Sequence, residues 1–576
     1  MIRHNAQAHR SARTRARLVA ATGLGVSVAL LGSACGAPLP ELQPGQSPAA
    51  YSGLEVTGDR VEYAIGKVPD IVEEELEASG VPGAAVAVVH GGEVVLSEGF
   101  GVRSTETGEA VDPQTVFPLA ALSTPVSATV VAAQSAEGDV DWTTPVRRYL
   151  PWFALADERT TDEVTVGDLF AHRSGLPEHA GEDPADLGYD RPAVLHGLRH
   201  LPLEPFRASY GYTDFGVTAG AEAVAVSAGT PWAELGRQRV FEPLGMNDTS
   251  YSYEDLLERD NRAVEHVRAD GAGSGAAEGE SEPTSAAGWI PADPARDPDV
   301  RAPAGGVSSS VADMARWMSM VLADGTGPAG SQIVPADALR EALTPQVVSS
   351  PPQSAEDRAG TYGFGFDIST TSSGRVQWSH SGASPRGSAS AQGSASAMLM
   401  IPSLDVGIIT LTNAAPVGVP ETINARFADY AQYGDPAIGW RELYTEEFGP
   451  LTAPVGDLVE ARRPSSPEPA PETGELLGVY RNDYFGEIEI RERPRTEGAA
   501  EDDNDDDTTR PALELVVGPR QQTWPVEHWD GPVFAASPRG GNWPPGSRGS
   551  VTFRDGTVTV ELLDTDGLGT FTRVEN

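Results

Sequence analysis

The chain has 576 residues, 39% hydrophobic and 22% charged, an ordinary globular balance with room for one large domain and a smaller one. Its 83 acidic residues outnumber 41 basic ones for a formal net charge of −42, which argues against nucleic acid as a partner, because phosphate binding needs a basic face. Cys35 is the only cysteine, so an internal disulfide is excluded.

The first 35 residues read as a targeting segment rather than part of a fold. Arg3, Arg10, Arg13, Arg15 and Arg17 give a positive start, and residues 18–31 give an apolar run too short to span a membrane comfortably. The run ends in Leu31-Gly32-Ser33-Ala34-Cys35, which resembles a bacterial lipoprotein signal, with Gly32 where leucine is usual. Lipid modification of Cys35 and a membrane-anchored, extracytoplasmic protein are the expectation. Residues 36–60, rich in Pro, Gly and Ser, read as a flexible tether.

An amphipathic helix pattern follows, with Val68, Ile71, Val72 and Leu76 on one face. Two apolar runs, 84–89 and 94–96, meet at Gly91-Gly92 and predict a hairpin. The stretch 117–131 (FPLAALSTPVSATVV) predicts a helix. Further on come Leu169-Phe170-Ala171-His172-Arg173-Ser174-Gly175-Leu176-Pro177, then Tyr212-Thr213-Asp214, then Phe241-Glu242-Pro243-Leu244-Gly245-Met246. Residues 271–288 are small and acidic and read as a surface loop. Ser310 with Asp313 approximates a capping box for a helix whose core face holds Val311, Met314, Ala315, Met318, Val321 and Leu322. Trp378-Ser379-His380-Ser381-Gly382 precedes a Ser/Gly/Ala-rich stretch, and the runs 398–401 and 406–411 read as two buried strands that close a sheet. A Pro-rich linker, 436–471, leads to short β-like runs over 472–576, which predict a small all-β barrel or sandwich. The acidic run 501–507 reads as a solvated loop, since adjacent carboxylates repel.

Taken together these motifs resemble the serine β-lactamases and penicillin-binding proteins, over roughly residues 61–435. The resemblance implies an α/β (α+β) domain, an antiparallel sheet flanked by helices, with the β-rich unit as an accessory domain. It also implies where the chemistry belongs. The family's Ser-x-x-Lys falls on the helix at 117–131, and here the serine position holds Ala121 and the lysine position holds Thr124. Acyl transfer needs a nucleophile and a base on one helix face, which the i, i+3 spacing supplies. Ser123 is two residues along, about 200° around a helix, and should point away from the pocket. Tyr212-Thr213-Asp214 resembles the family's Tyr-x-Asn, with a carboxylate, which only accepts hydrogen bonds, in place of an amide that also donates. A substrate carbonyl there would meet a negative charge. His380, Ser381 and Gly382 resemble the family's His-x-Gly strand, with His380 aimed into the cleft and Gly382 leaving space for a ligand backbone. His172 reads as a loop-fixing residue.

The expected ligand pocket is therefore Ala121, Thr124, Tyr212, Asp214, His380, Ser381 and Gly382, with no confident catalytic residue. The expected function is a surface-tethered lipoprotein that no longer acylates and serves as a cell-envelope binding or regulatory protein, its partner a cell-wall peptide or D-amino-acid-type ligand. The alternative is an active hydrolase with a non-standard nucleophile. No metal or cofactor is implied.

Overall fold

A computed structural model describes residues 47, 50–268, 288–292, 297–382, 393–493, 513–538 and 542–575. The targeting segment with Cys35, most of the tether, residues 271–287, 383–392 and the acidic run 501–507 lie outside the described residues. The first helix, α1 (Gly58–Ser79), buries Val61, Ala64, Val68, Ile71 and Val72, the face its spacing predicts. It stops at Gly80, whose positive φ of 70° lets its N–H reach back to the Leu76 carbonyl. The hairpin β1 (Gly83–His90) and β2 (Glu93–Gly101) turns at Gly91 and Gly92, with φ of 62° and 78°. Two consecutive left-handed residues match the twist of the flanking strands, and only glycine adopts them freely.

The main sheet is antiparallel and has eight strands. Besides the hairpin these are β3 (Val347–Ser350), β4 (Gly360–Tyr362), β5 (Asp367–Thr370), β6 (Val376–Ser381), β7 (Ala395–Ile401) and β8 (Val406–Thr412). Their order across the sheet is β2-β1-β8-β7-β6-β5-β4-β3. The strands expected to close the sheet, β7 and β8, are central instead. Both are buried along their whole length, because helices cover both faces. On one face Leu399, Ile401 and Ile408 pack with α1 and with α5 (Val419–Tyr433). On the other, Met398, Met400 and Ile409 pack with α2 (Ser123–Gln134), α3 (Asp214–Ala228) and α4 (Val311–Leu322). Ser310 caps α4 by accepting from the Asp313 N–H, but the Asp313 carboxylate bonds the Asp248 N–H and Thr249 instead of returning to Ser310. The capping box is half formed.

The interval 436–471 is not a free linker. It carries α6 (Trp440–Phe448), whose Trp440, Tyr444 and Phe448 recur every four residues and pack ring on ring. Trp440 Nε1 donates to the Asp429 carboxylate on α5 at 2.7 Å, and Arg441 reaches the buried Glu75 of α1. Residues 454–471 then run along the second unit, where the Leu458 N–H meets the Arg548 carbonyl.

That second unit is a closed barrel of eight antiparallel strands, β9 (Gly478–Asn482), β10 (Gly486–Glu492), β11 (Leu513–Val517), β12 (Gln522–Asp530), β13 (Val533–Ala536), β14 (Gly549–Arg554), β15 (Thr557–Val560) and β16 (Thr570–Arg573). Each strand pairs with the next, and β16 pairs back with β9, so no edge is left open. Tyr480, Trp524, Phe534 and Phe571 fill the interior. Leu187 of the first domain belongs to the same apolar core, the Tyr484 hydroxyl accepts from the Gly181 N–H at 3.1 Å, and Asp186 accepts from the Asn542 N–H.

Candidate functional site

Phe117 and Pro118 pair with Ser308 and Ser309 as a two-residue strand, so the helix does not begin at 117. Ala120 takes a left-handed φ of 48°, a 3₁₀ turn spans Ala120–Leu122, and α2 starts at Ser123. A non-glycine residue in that region stores strain, roughly 1–2 kcal/mol, and such positions cluster at functional sites. Ala121 sits on the strained turn with its methyl group on a cavity wall. Ser123 is fully buried; its hydroxyl donates to the Ala120 carbonyl at 2.6 Å and accepts from the Val307 N–H at 2.9 Å. Both of its roles are taken locally, so it is no substitute nucleophile. Thr124 is also fully buried, makes a long 3.4 Å bond to the Ala304 carbonyl and does not line the cavity.

Tyr212 precedes α3 and lines the cavity, with its hydroxyl buried and without a hydrogen-bond partner. Burial, and then the nearby Asp214, push this phenol well above its ordinary value; the Thr124 hydroxyl offsets a little of that. It stays protonated, with the Thr124 hydroxyl beside it outside good hydrogen-bonding geometry. The His172 ring packs on Tyr212 with centroids 4.2 Å apart, and its Nδ1 accepts from the Thr213 N–H at 3.1 Å. Burial holds His172 neutral, well below its usual range. This histidine thus ties its own loop to the Tyr212 segment.

Asp214 is placed differently from expectation. It does not line the cavity; one oxygen of its buried carboxylate is 2.8 Å from Nη1 of the largely covered Arg301. Burial pushes the Asp214 carboxyl up, and the Arg301 guanidinium pulls it back. No bare negative charge meets a ligand at this position, because the carboxylate is turned to its own cation.

On β6 the strand register divides the motif between two faces. Trp378 and His380 share the face of Met398 and Met400, whereas Ser379 and Ser381 share the face of Ala397 and Leu399, toward α5. His380 is buried, with Nδ1 2.9 Å from the Ser381 carbonyl and Nε2 2.9 Å from the Tyr362 hydroxyl. A carbonyl only accepts, so Nδ1 carries the hydrogen and Nε2 receives the one from Tyr362. Burial lowers His380 to about 4 and raises Tyr362 well above its ordinary value, so both are uncharged at neutral pH. Gly382 requires a correction. A Cβ there would meet Ser396 Oγ at 1.9 Å and the Leu119 carbonyl at 2.1 Å, so the glycine serves close packing against the strained turn rather than space for a ligand. Its N–H is spent on the Ser396 carbonyl.

Four of the seven expected pocket residues, Ala121, Tyr212, His380 and Ser381, come together on one cavity of about 760 Å³; Thr124, Asp214 and Gly382 support it from outside. Tyr362, Tyr210, Asp367 and Glu421 also line it and were not singled out from sequence. A tyrosine just ahead of Gly363-Phe364-Gly365 was a readable hint for Tyr362, but nothing local marks the others. Among the described residues no group of three His, Cys, Asp or Glu is placed to hold a metal ion. At its Ala121 end the cavity is lined by the neutral hydrogen-bonding groups of Tyr212, Tyr362 and His380, and the position of the family's nucleophile carries only the Ala121 methyl group.

The family model described as "Beta-lactamase" matches residues 68–432. The unguisins hydrolase ungD' of Aspergillus campestris is 24% identical over 456 residues, covering 75% of this chain and 78% of that protein. Penicillin-binding protein 4 of Amycolatopsis lactamdurans is 30% identical over 261 residues, 44% of this chain and 63% of that protein. Among solved structures, the octameric penicillin-binding protein homologue from Pyrococcus abyssi superposes with a TM-score of 0.53 at 18% identity, covering 86% of this chain and 98% of the other, a likeness of fold.

Proposed function

Because this chain belongs to the beta-lactamase family of serine hydrolases and has hydrolases among its relatives, we propose that it keeps the family's cleft as a binding site and forms no acyl-serine intermediate. The observation that carries this reading is the pair Ala121 and Thr124 at the two reacting positions, with the neighbouring Ser123 hydroxyl locked by two local hydrogen bonds. Loss of a serine nucleophile alone costs about 10⁶-fold in turnover. One relative is named as a hydrolase and another for binding penicillin, and the ligand proposed for this cleft is a cell-wall peptide or a D-amino-acid-type molecule. The lipoprotein-like signal at Cys35 supports a membrane-tethered protein outside the cytoplasm; Cys35→Ala should then move the full chain from the detergent-extracted membrane fraction to the soluble one.

Intact mass tests the central claim. The chain from residue 36 onward, incubated with a labelled penicillin and with a fluorophosphonate, should gain no adduct from either. One observation favours the rival reading of an active hydrolase with a non-standard nucleophile. Ser381 lines the cavity beside Glu421, a carboxyl that burial raises to about 7, close to the value a general base needs. An adduct mapped to Ser381 would establish that rival and overturn the binding-only reading.

A further inference from the structure

The cavity extends from Ala121 past Ser379 and Ser381 to the helices α5 and α6, where its character changes. Four carboxylic acids line it, Asp367, Glu421, Asp429 and Glu447, and no lysine or arginine does so among the described residues. The one basic side chain on the wall among the described residues, His380, is neutral for the reasons given above. Asp429 is satisfied locally, accepting from the Ala437 N–H and from Trp440 Nε1 at 2.7 Å each.

Glu421 is different. It stands in the first turn of α5 with 7% of its surface exposed, and neither carboxyl oxygen has a hydrogen-bond partner. The Ser381 hydroxyl and Glu421's own backbone N–H lie near it outside good hydrogen-bonding geometry and offset part of the burial cost; Glu447 on α6 adds to that cost by repulsion. Buried polar atoms in folded proteins are almost always paired, and a buried carboxylate with nothing to bind is costly. An orphan of this kind on the wall of a large cavity is explained if its partner arrives with a ligand. Tyr433, Trp440 and Tyr444 line the same end, and aromatic faces attract cations.

We propose that the α5–α6 end of the cavity is a subsite for a protonated organic amine, with the Glu421 carboxylate as its counter-ion and the aromatic wall around it. The proposal rests on the reading of this cleft as a ligand site and adds the ligand's chemistry. A molecule spanning the cleft carries a carbonyl-bearing part near Tyr212 and an ammonium group near Glu421. A free amino terminus or an amino-bearing side chain on a peptide-like compound meets both demands. No bond is made or broken in this step.

The test compares charged and neutral probes on the same protein. Phenethylamine, D-alaninamide and cadaverine are titrated by calorimetry at pH 7.5 against 2-phenylethanol, N-acetyl-D-alaninamide and 1,5-pentanediol. The expected result is at least tenfold tighter binding of the amines, lost in Glu421→Gln, with a thermal melt confirming that the variant is folded. The proposal fails if no amine binds, if the neutral partner binds as well, or if folded Glu421→Gln keeps the preference. The wild-type comparison decides the first two outcomes without any variant. Each of these failures leaves the mass of the protein unchanged, whereas failure of the binding-only reading appears as a covalent adduct.

Discussion

The double substitution Ala121→Ser with Thr124→Lys converts an unreactive cleft into one that takes up a single penicilloyl or phosphonyl group on the introduced hydroxyl, read as one added mass on the peptide containing residue 121. The turn is already strained, with Ala120 at φ 48°, and Ala121 already lines the cavity. A serine there needs only a hydroxyl on an existing methyl. The lysine is harder, because Thr124 is fully buried, and overpacking a core site costs about 1–3 kcal/mol. Its ammonium nevertheless finds acceptors in the Ala304 carbonyl and in the unused Tyr212 hydroxyl. Arg301, near enough to act electrostatically on Tyr212, disfavours a second cation and lowers the lysine's pKa, the direction a base requires. Ala121→Ser alone should react about 10²-fold more slowly or worse, since general base catalysis typically contributes 10² to 10⁴. A folded double variant that stays unlabelled would sink the idea that the cleft is intact but emptied.

Arg301→Met should be among the most damaging single substitutions in the first domain, lowering stability by about 3–5 kcal/mol, because it strands the buried Asp214 carboxylate. Asp214→Asn on top of it should return most of that loss, since a neutral amide has no charge to strand. The pH dependence follows from burial. With Arg301 gone the folded-state pKa of Asp214 climbs further above its unfolded value. Stability is then fully present below the unfolded pKa and is lost as pH rises through the folded one. Thermal melts should therefore show a smaller deficit for Arg301→Met at pH 5 than at pH 8, and little pH dependence in the double variant. A deficit that Asp214→Asn does not relieve would mean that Arg301 acts through packing alone.

The parts of this molecule that follow periodic or motif rules were legible. The face of α1, the glycine hairpin, the barrel and the His380 strand all rest on local spacing that one chain displays. The start of α2 was not, because Ala120's left-handed turn is imposed by tertiary packing and carries no glycine to announce it. Arg301 was invisible for a simpler reason: 87 positions separate it from Asp214, and charge pairing at that distance leaves no local trace. Glu421 opens a helix, a place where a carboxylate normally faces water, so its type and position carry no signal of burial. Only the sheet beneath and α6 above reveal that it is covered. The α6 stripe of Trp440, Tyr444 and Phe448 was readable at i, i+4, i+8, and the proline content around it masked the signal.

The barrel's hold on the first domain has a consequence for how the chain comes apart. Leu187 completes the barrel's apolar core, Tyr484 and Asn542 grip Gly181 and Asp186, and between those contacts stands Glu182, whose charge acts on Asp214. The two units therefore share interior, and neither has a finished surface without the other. Heating should give one cooperative transition, not two, and excision of residues 472–576 should loosen the Asp214–Arg301 pair by way of the 181–189 segment. Among the described residues lining the cleft none comes from the barrel, so any effect of the barrel on the cleft passes through the 181–189 segment that stands behind Asp214.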